Sequence, residues 1–330
     1  MTQTERVVAF DQFMAEALYG ANGFYMTGGR AGRRGDFITS PEVGPLFGAI
    51  VARFLDAEWD RIGRPGEFAV IDAGAGSGTL TRSVIAARPA CSEAIRYVAV
   101  DVSPKQRQQH PVGIESLAEM PVGLFDGVII ANELLDNLPF RMAVFDDGWR
   151  EAFVVEMPDG HLVERLSAPF DPLPAVLPTD ATLGARAPLQ NAAGRWVADA
   201  CSRLRSGALV AIDYCSPTTA ALAQRPWREW LRTYRQHERG GHYLTEPGTQ
   251  DITTEVAIDQ LPVPVAIRTQ AQWLQLYGID QLVDEGKQYW TEHATRPDLA
   301  AIKMRSRIGE AEALLDPAGL GSFTVLEWRA

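Results

Sequence analysis

The chain has 330 residues, of which 46% are hydrophobic, and a formal net charge of −11. This length and hydrophobic content support one large core with insertions, or two domains, and exclude a disordered chain. The acidic balance argues against nucleic acid as a general partner. The three cysteines form no CxxC pair, so we expect neither a disulfide framework nor a metal site.

The N-terminal residues and the hydropathy pattern bear on the location of the protein. No apolar run approaches the roughly 20 residues of a membrane span, so we expect no membrane partner. Residues 5–18 show helical apolar spacing, and Glu5, Asp11 and Glu16 make this segment unlike a signal or transit peptide. A cytoplasmic enzyme is therefore expected.

Residues 1–66 are predicted to form N-terminal helices and a glycine-rich lid loop. Residues 20–38 contain six glycines and three arginines, which is typical of a loop. Ser40-Pro41-Glu42 follows and predicts a helix start, with Ser40 as N-cap and Pro41 at the first helical position.

From residue 68 the pattern changes to apolar strands that alternate with helices. Strands are predicted at 68–72, 97–101, 125–132 and 208–214, with a helix at 79–87. Near-continuous apolar strands indicate a parallel sheet that is covered on both faces. We therefore predict an α/β fold with a Rossmann-like sheet formed by residues 67–140 and 195–216 and completed by a final strand within 319–330.

Two inserted segments interrupt this alternation. Residues 141–194 contain the turn signals Asp147-Gly148 and Asp159-Gly160 between short apolar runs, which predicts an antiparallel β insertion followed by a linker. Residues 217–318 are predicted to form a C-terminal α+β insertion on the substrate side. The chain is thus expected to be a Rossmann-like core with a helical N-terminal extension and two insertions.

A glycine loop follows the first predicted strand of the sheet. Asp72 is followed by Gly74, Gly76 and Gly78 at alternate positions, and Thr79 opens the next helix. Glycines allow backbone N–H groups to approach a ligand, and the helix directs its positive end to the same place. A dinucleotide fingerprint requires glycine where Thr79 stands. The spacing therefore favours S-adenosyl-L-methionine (SAM) over NAD, which stays open as the alternative cofactor.

Polar residues stand at the ends of the next two strands. Asp101 ends the second strand, where a carboxylate can accept hydrogen bonds from both ribose hydroxyls. Asn132, Glu133 and Asp136 follow the third strand, and ligands of open α/β sheets bind beyond the carboxyl ends of the strands. Glu133 and Asp136 would share one face if this stretch were helical. We therefore expect cofactor and substrate to lie between these residues.

Several motifs together resemble one family, the MidA-like methyltransferases. The motifs stand in the family's order and span nearly the whole chain, and they include Gly35–Glu42, Asp101–Pro104, Ala131–Pro139, Tyr234–His237, Pro247–Thr253 and the closing Gly321–Leu326. The family includes the mitochondrial complex I assembly-factor arginine methyltransferase. The chain departs from the family pattern at Asp72, Ala75 and Ser77, where Glu, Pro and Arg are usual. Leu134 and Leu135 stand where the family usually has two aromatic residues.

The resemblance implies methyl transfer from SAM, and in the mitochondrial member the acceptor is a protein arginine. It adds Thr39, Ser40, Glu42 and Ser103 to the cofactor-binding candidates. It also suggests that His237 and Asp251 reach the site, with His237 as a catalytic candidate.

Arginine has a pKa above roughly 12, so an arginine acceptor is not deprotonated in advance. A carboxylate pair can orient its guanidinium and hold the charge away from the attacking nitrogen. We assign this role to Glu133 and Asp136. The function expected is SAM-dependent methylation of a protein side chain such as arginine, by an enzyme that forms a homodimer. A small-molecule acceptor, an NAD-dependent oxidoreductase and a non-catalytic assembly factor with a SAM fold remain alternatives.

Overall fold

The computed structural model describes residues 5–27, 39–235 and 238–330. Most of the predicted lid loop, residues 28–38, and the candidate His237 lie outside the described residues.

The described residues form strands and helices of very different lengths. In chain order the strands are β1 (Arg6–Ala9), β2 (Phe68–Ala73), β3 (Ile95–Val100), β4 (Glu115–Leu117), β5 (Phe125–Asn132), β6 (Arg141–Phe145), β7 (Trp149–Glu156), β8 (Leu162–Pro169), β9 (Arg186–Leu189), β10 (Leu204–Asp213), β11 (Cys215–Ser216), β12 (Leu231–Arg235), β13 (Glu238–Arg239), β14 (Asp251–Thr254), β15 (Val256–Ala257), β16 (Ala266–Thr269) and β17 (Thr324–Arg329). The helices are α1 (Phe10–Tyr19), α2 (Phe24–Thr27), α3 (Ser40–Val43), α4 (Pro45–Arg61), α5 (Thr79–Ala87), α6 (Pro104–Arg107), α7 (Asn191–Ser202), α8 (Thr219–Ala223), α9 (Trp227–Trp230), α10 (Gln270–Leu276), α11 (Ile279–His293) and α12 (Leu299–Leu315).

The main sheet has seven strands in the order β16-β17-β10-β5-β2-β3-β4. The five strands from β10 to β4 are parallel, whereas β17 pairs antiparallel with β10 and β16 pairs antiparallel with β17. The register of the two central strands sets Val70 opposite Val128. This arrangement confirms the predicted Rossmann-like sheet with a final strand from the end of the chain.

Both faces of the sheet are covered, which explains the continuous apolar strands. Val70 and Val128 face a layer that includes residues of α4, α5, α10, α11 and α12. Ile71 and Ile129 point to the opposite face, where they pack in a cluster with residues of α7. Because side chains alternate along a strand, each position of β2 and β5 must suit one of two buried layers.

A second sheet holds the N-terminal residues and the predicted β insertion. Its order is β1-β7-β6-β9. β1 and β6 pair with the second and the first half of β7, respectively, and β8 pairs with β7 along both halves. The prediction of a helix from residue 5 is wrong at its start, because Arg6–Ala9 form β1 and the helix begins at Phe10. Val7 and Val8 pair with Val155 and Val154, and β-branched residues favour such cross-strand pairing.

The strand order creates a crevice at one edge of the main sheet. From β2 the chain continues outward through β3 to β4 and then returns to β5 on the opposite side of β2. This reversal is a topological switch point, and the crevice beyond the carboxyl ends of β2 and β5 is where such sheets bind ligands.

Candidate functional site

A cavity of about 660 Å³ lies at the switch point. Its lining includes nine of the residues that the sequence predicts for the site, namely Thr39, Glu42, Asp72, Gly74, Gly76, Thr79, Asp101, Asn132 and Glu133. Four other candidates do not line it, namely Ser40, Gly78, Ser103 and Asp136. The volume falls in the range of roughly 300–1,000 Å³ that is typical of small-molecule sites.

The glycine loop is held against the end of β3. The N–H groups of Gly74 and Ala75 both donate to the carbonyl oxygen of Val100 at 2.9 Å. Gly76 has a φ of 53°, and a Cβ built on it would meet no heavy atom within 4 Å. Gly78 precedes α5 with a φ of 80°, where a Cβ would lie 3.0 Å from Pro111 Cδ. Glycine is therefore required at Gly78 for the tight turn, and Gly76 leaves space open at the cavity.

Asp101 links the glycine loop to the segment after β3. Its Oδ2 accepts a hydrogen bond from the Gly76 N–H at 2.9 Å, and its Oδ1 accepts one from the Ser103 N–H at 2.8 Å. Burial raises the pKa of Asp101, while these two backbone bonds and the charges of His110 and Arg107 act in the opposite direction. A carboxylate has about four acceptor positions, so Asp101 can also accept ribose hydroxyls. Ser103 serves through its backbone and is 0% exposed.

Asp72 lies beneath the glycine loop at the end of β2. It is 3% exposed, and the Thr81 hydroxyl donates to its Oδ2 at 2.9 Å. Burial raises the pKa of Asp72 to about 7, although the bond from Thr81 favours the ionised form. A bound cation would favour that form further, because an opposite charge nearby stabilises a carboxylate.

Glu133 stands in an uncommon backbone conformation directly after β5. Its φ is 53°, and its N–H donates to the carbonyl oxygen of Ile212 at 2.8 Å. Asn132 Nδ2 donates to Glu133 Oε1 at 3.1 Å. Burial and then the charge of Asp136 raise the pKa of Glu133, while bonds from Asn132 and the Ser40 backbone favour the carboxylate. Strained non-glycine residues of this kind cluster at functional sites.

The structure does not present Asp136 beside Glu133 on one helical face. A 3₁₀ turn covers only Leu135–Asn137, so the helix that would align the two side chains is missing. The Thr253 hydroxyl donates to the Asp136 carboxylate. Asp213 Oδ2 accepts hydrogen bonds from the N–H groups of Leu135 at 2.9 Å and Asp136 at 3.2 Å. Asp136 therefore lies behind the cavity wall, in contact with β14 and with the end of β10.

Ser40 also supports the wall rather than lining the cavity. Its hydroxyl donates to Gln270 Oε1 at 2.7 Å, and its side chain is 0% exposed. Ser40 is the first residue of α3, and Thr39 occupies the N-cap position that the sequence assigned to Ser40. The hydroxyl of Ser40 instead connects α3 to α10.

Tyr19, Tyr25 and Asp213 are among the residues of the site that the sequence did not predict. Tyr19 and Tyr25 line the cavity from the N-terminal extension, and Asp213 supports the 3₁₀ turn from below. Asp213 is the last residue of β10, and the predicted strand at 208–214 included it, so its position near the carboxyl edge was a signal for it. The two tyrosines carry no such signal, because only the tertiary fold brings the N-terminal extension to this edge.

The cavity lining is strongly acidic. Among the described lining residues the acids are Glu42, Asp72, Asp101, Glu119, Glu133 and Asp199. Arg203 is the single arginine or lysine among them, and it pairs with Asp199 at 2.8 Å. Such a surface attracts cations and raises their local concentration.

The residues present fit SAM, whose sulfonium and ammonium groups are cationic. Asn132 Oδ1 is buried and accepts no hydrogen bond from the described residues, although Asn132 lines the cavity. A buried acceptor without a partner is costly unless a ligand supplies a donor. Together with the open space at Gly76, this leaves an acceptor and room for a ligand that carries hydrogen-bond donors, as the ammonium group and the ribose of SAM do.

Comparison with curated proteins finds mitochondrial relatives. The chain is 27% identical over 289 residues to the protein named protein arginine methyltransferase NDUFAF7 homolog, mitochondrial, of Drosophila melanogaster. That alignment covers 74% of this chain and 63% of the relative. The protein arginine methyltransferase NDUFAF7, mitochondrial, of Rattus norvegicus is 26% identical, with 76% and 64% covered. The chain thus spans a little under two thirds of the length of these relatives.

The names of these relatives correct one expectation. The sequence led us to expect a cytoplasmic enzyme, and the curated relatives from fly, rat and mouse are named as mitochondrial. The expectation is therefore wrong, because acidic residues among residues 5–18 and a lack of long apolar runs do not determine the compartment of a protein. Among the described residues, no helix combines the length and apolar character needed to cross a bilayer.

Two solved structures from Burkholderia thailandensis share the fold over almost the whole chain. One is a superfamily member bound to S-adenosyl-homocysteine (SAH), with 26% identity, a TM-score of 0.81, and 98% of this chain and 88% of that chain covered. The other is a native structure with 25% identity, a TM-score of 0.80, and 98% and 87% covered.

A family model provides the assignment. The model of the S-adenosyl-L-methionine-dependent methyltransferases matches residues 50–279, which include the glycine loop, Asp101 and Glu133. This match decides between the two cofactors in favour of SAM. The sequence spacing, the cavity at the switch point and the family match lead to one conclusion: the chain belongs to this family of SAM-dependent methyltransferases.

Proposed function

We propose that the chain transfers the methyl group of SAM to an arginine side chain of a protein. The observation that carries the proposal is the buried, acidic end of the cavity at Glu133. Among the described residues, no arginine or lysine pairs with Glu133, Asp136, Asp213 or Asp251. Glu133 is the one of these four that lines the cavity. A carboxylate that is shielded from water without a cationic partner is costly, and a cationic acceptor would supply that partner.

SAM supplies an electrophilic methyl group, so the protein mainly has to orient the nucleophile. Glu133 can accept two parallel hydrogen bonds from a guanidinium, which fixes the plane of the acceptor. It also keeps the positive charge near the bound nitrogens and away from the attacking one. Asp136, Asp213 and the Ser40 backbone then act on Glu133 through charge and hydrogen bonds rather than by touching the acceptor.

The relatives support the arginine acceptor, because those in fly and rat are named protein arginine methyltransferases. Identity is only 27% and 26%, so the acceptor assignment depends on the acidic cavity as well as on the names. A homodimer is also kept as a proposal, which sedimentation of the purified chain would test.

The test is to incubate the purified chain with methyl-labelled SAM and an extract in which endogenous methyltransferases have been inactivated. The labelled proteins are then hydrolysed completely and the labelled amino acid is identified. We expect the label in methylarginine. Label in another amino acid or in a small molecule would contradict the acceptor assignment, and tight SAM binding without any transfer would favour an assembly factor.

A further inference from the structure

Two tyrosines from the N-terminal extension form one wall of the cavity that contains Glu133. The rings of Tyr19 and Tyr25 stack with centroids 5.6 Å apart and an interplanar angle of 16°. The Tyr19 hydroxyl donates to the carbonyl oxygen of Asn137 at 3.1 Å. The Tyr25 hydroxyl lies 3.0 Å from both Asp251 Oδ1 and Asn137 Oδ1. Both rings are therefore anchored at their hydroxyl ends to Asn137 or Asp251. Asp251 belongs to what we call the acidic cluster, namely Glu133, Asp136, Asp213 and Asp251.

The two rings differ in what covers their faces. Tyr25 contacts Tyr19 on one side and Phe24 in an edge arrangement, with ring centroids 5.1 Å apart and an angle of 78°. Tyr19 has Tyr25 as its single ring neighbour among the described residues. Burial raises the pKa of the Tyr19 hydroxyl, and the negative charges of Asp251, Asp136 and Asp101 raise it further.

This arrangement suits a planar cation. An aromatic face attracts a cation within about 6 Å, and a guanidinium can stack flat on it. A lysine ammonium is a compact and strongly hydrated charge that gains less from a flat surface. Glu133 can bind the edge of a guanidinium while a ring supports its face, because the two contacts are perpendicular.

We propose that Tyr19 is a specificity-determining residue, whose ring face selects an arginine guanidinium over a lysine ammonium, and that Tyr25 is the positioning residue that holds this ring. The inference rests on the proposed function and names how its acceptor is recognised. Arginine recognition then requires Glu133 together with two residues of the N-terminal extension, Tyr19 and Tyr25.

The test uses a pool of arginine-containing peptides and a matched pool in which every arginine is replaced by lysine. Initial rates of label transfer are measured for the wild type and for Tyr19→Phe and Tyr19→Leu. Tyr19→Phe keeps the ring, so it should keep the arginine preference. Tyr19→Leu removes the ring and should raise KM for the arginine pool about tenfold, with kcat changed much less. Tyr289→Leu, on the helix α11, is the matched control and should leave both parameters unchanged.

SAH binding, measured by calorimetry, shows whether each variant is folded at the cofactor site. If Tyr19→Leu loses SAH binding, Tyr19→Met replaces it, since methionine fills the space with a flexible chain and no ring. A wild type that prefers arginine, with unchanged KM and preference in the Leu and Met variants, overturns the inference and leaves the proposed function standing. A wild type that methylates no arginine overturns the proposed function, and the inference falls with it.

Discussion

The carboxylate of Asp101 accepts a hydrogen bond from the backbone N–H of Gly76 at 2.9 Å. This contact joins the end of β3 to the loop after β2, at the point where the strand order reverses. One side chain thus fixes the glycine loop and offers its remaining acceptor positions to the cavity. The positions of the loop and of the ribose acceptor are therefore coupled.

Asp101→Asn should weaken SAH binding by about 10- to 100-fold, because hydrogen bonds to a charged group contribute about 1.5–3 kcal/mol. The amide retains one acceptor oxygen but loses the charge. Calorimetric titration with SAH measures the effect. The matched control is Asp126→Asn. Asp126 stands near the start of β5, away from the carboxyl end that borders the cavity, so this variant should bind SAH like the wild type. Equal affinities of the Asp101 variant and the control would refute the ribose role.

Glu133→Gln should lower kcat by about 10²- to 10³-fold while SAH affinity changes little, because the carboxylate is assigned to the acceptor. Label transfer to the arginine peptide pool gives the rate, and calorimetry gives the affinity. Glu93→Gln, an exposed residue outside the cavity, is the control. A loss of SAH affinity as large as the loss of rate would show that Glu133 binds the cofactor instead.

The free energy of unfolding should depend on pH through Asp72. Burial raises the pKa of Asp72 to about 7, above the value of about 3.9 in an unfolded chain. A group with a raised folded pKa stabilises the fold at low pH, and this stabilisation is lost as pH rises through the folded pKa. The Tm of the ligand-free wild type should thus fall relative to that of Asp72→Asn between about pH 4 and about pH 7, the unfolded and folded pKa values of Asp72. Parallel Tm profiles of the two proteins would contradict this prediction.

Thr253→Val should destabilise the protein by about 1–3 kcal/mol, because it leaves the buried Asp136 carboxylate without the hydroxyl donor of Thr253. Valine has nearly the same shape, so lost packing contributes little. Urea unfolding measures the change. Thr249→Val removes a threonine hydroxyl at an exposed position and should change stability by much less. Equal changes in the two variants would show that Thr253 does not support the acidic cluster.

The main sheet was predictable from the sequence because its strands are buried on both faces. Near-continuous apolar runs such as Phe68–Ala73 and Phe125–Asn132 are typical of parallel strands that helices cover on both sides. The helix α11 was not predicted as a separate element within 217–318, although its buried residues Ile279, Leu282, Val283 and Gly286 stand at helical spacing. The division of the chain into five segments stays a prediction.

The candidate site was predictable where one strand end supplies the residue. Asp101 and Asn132 could be predicted as site residues because they stand at the carboxyl ends of their strands, and both line the cavity in the structure. The relation of Glu133 to Asp136 was not predictable, because it depends on the left-handed φ of Glu133 and on Asp213. Tyr19 and Tyr25 depend on contacts with Asn137 and Asp251, more than 100 positions away in the sequence.

The most direct measurement is a crystal structure of the chain with SAH and an arginine peptide that it methylates. We expect the SAH ribose on Asp101 and the acceptor guanidinium within hydrogen-bond distance of Glu133, at about 2.7–3.2 Å. The nitrogen that receives the methyl group should face the sulfur of SAH. A guanidinium bound away from Glu133 would contradict the proposed role of Glu133, and SAH bound outside the glycine loop would contradict the cofactor site.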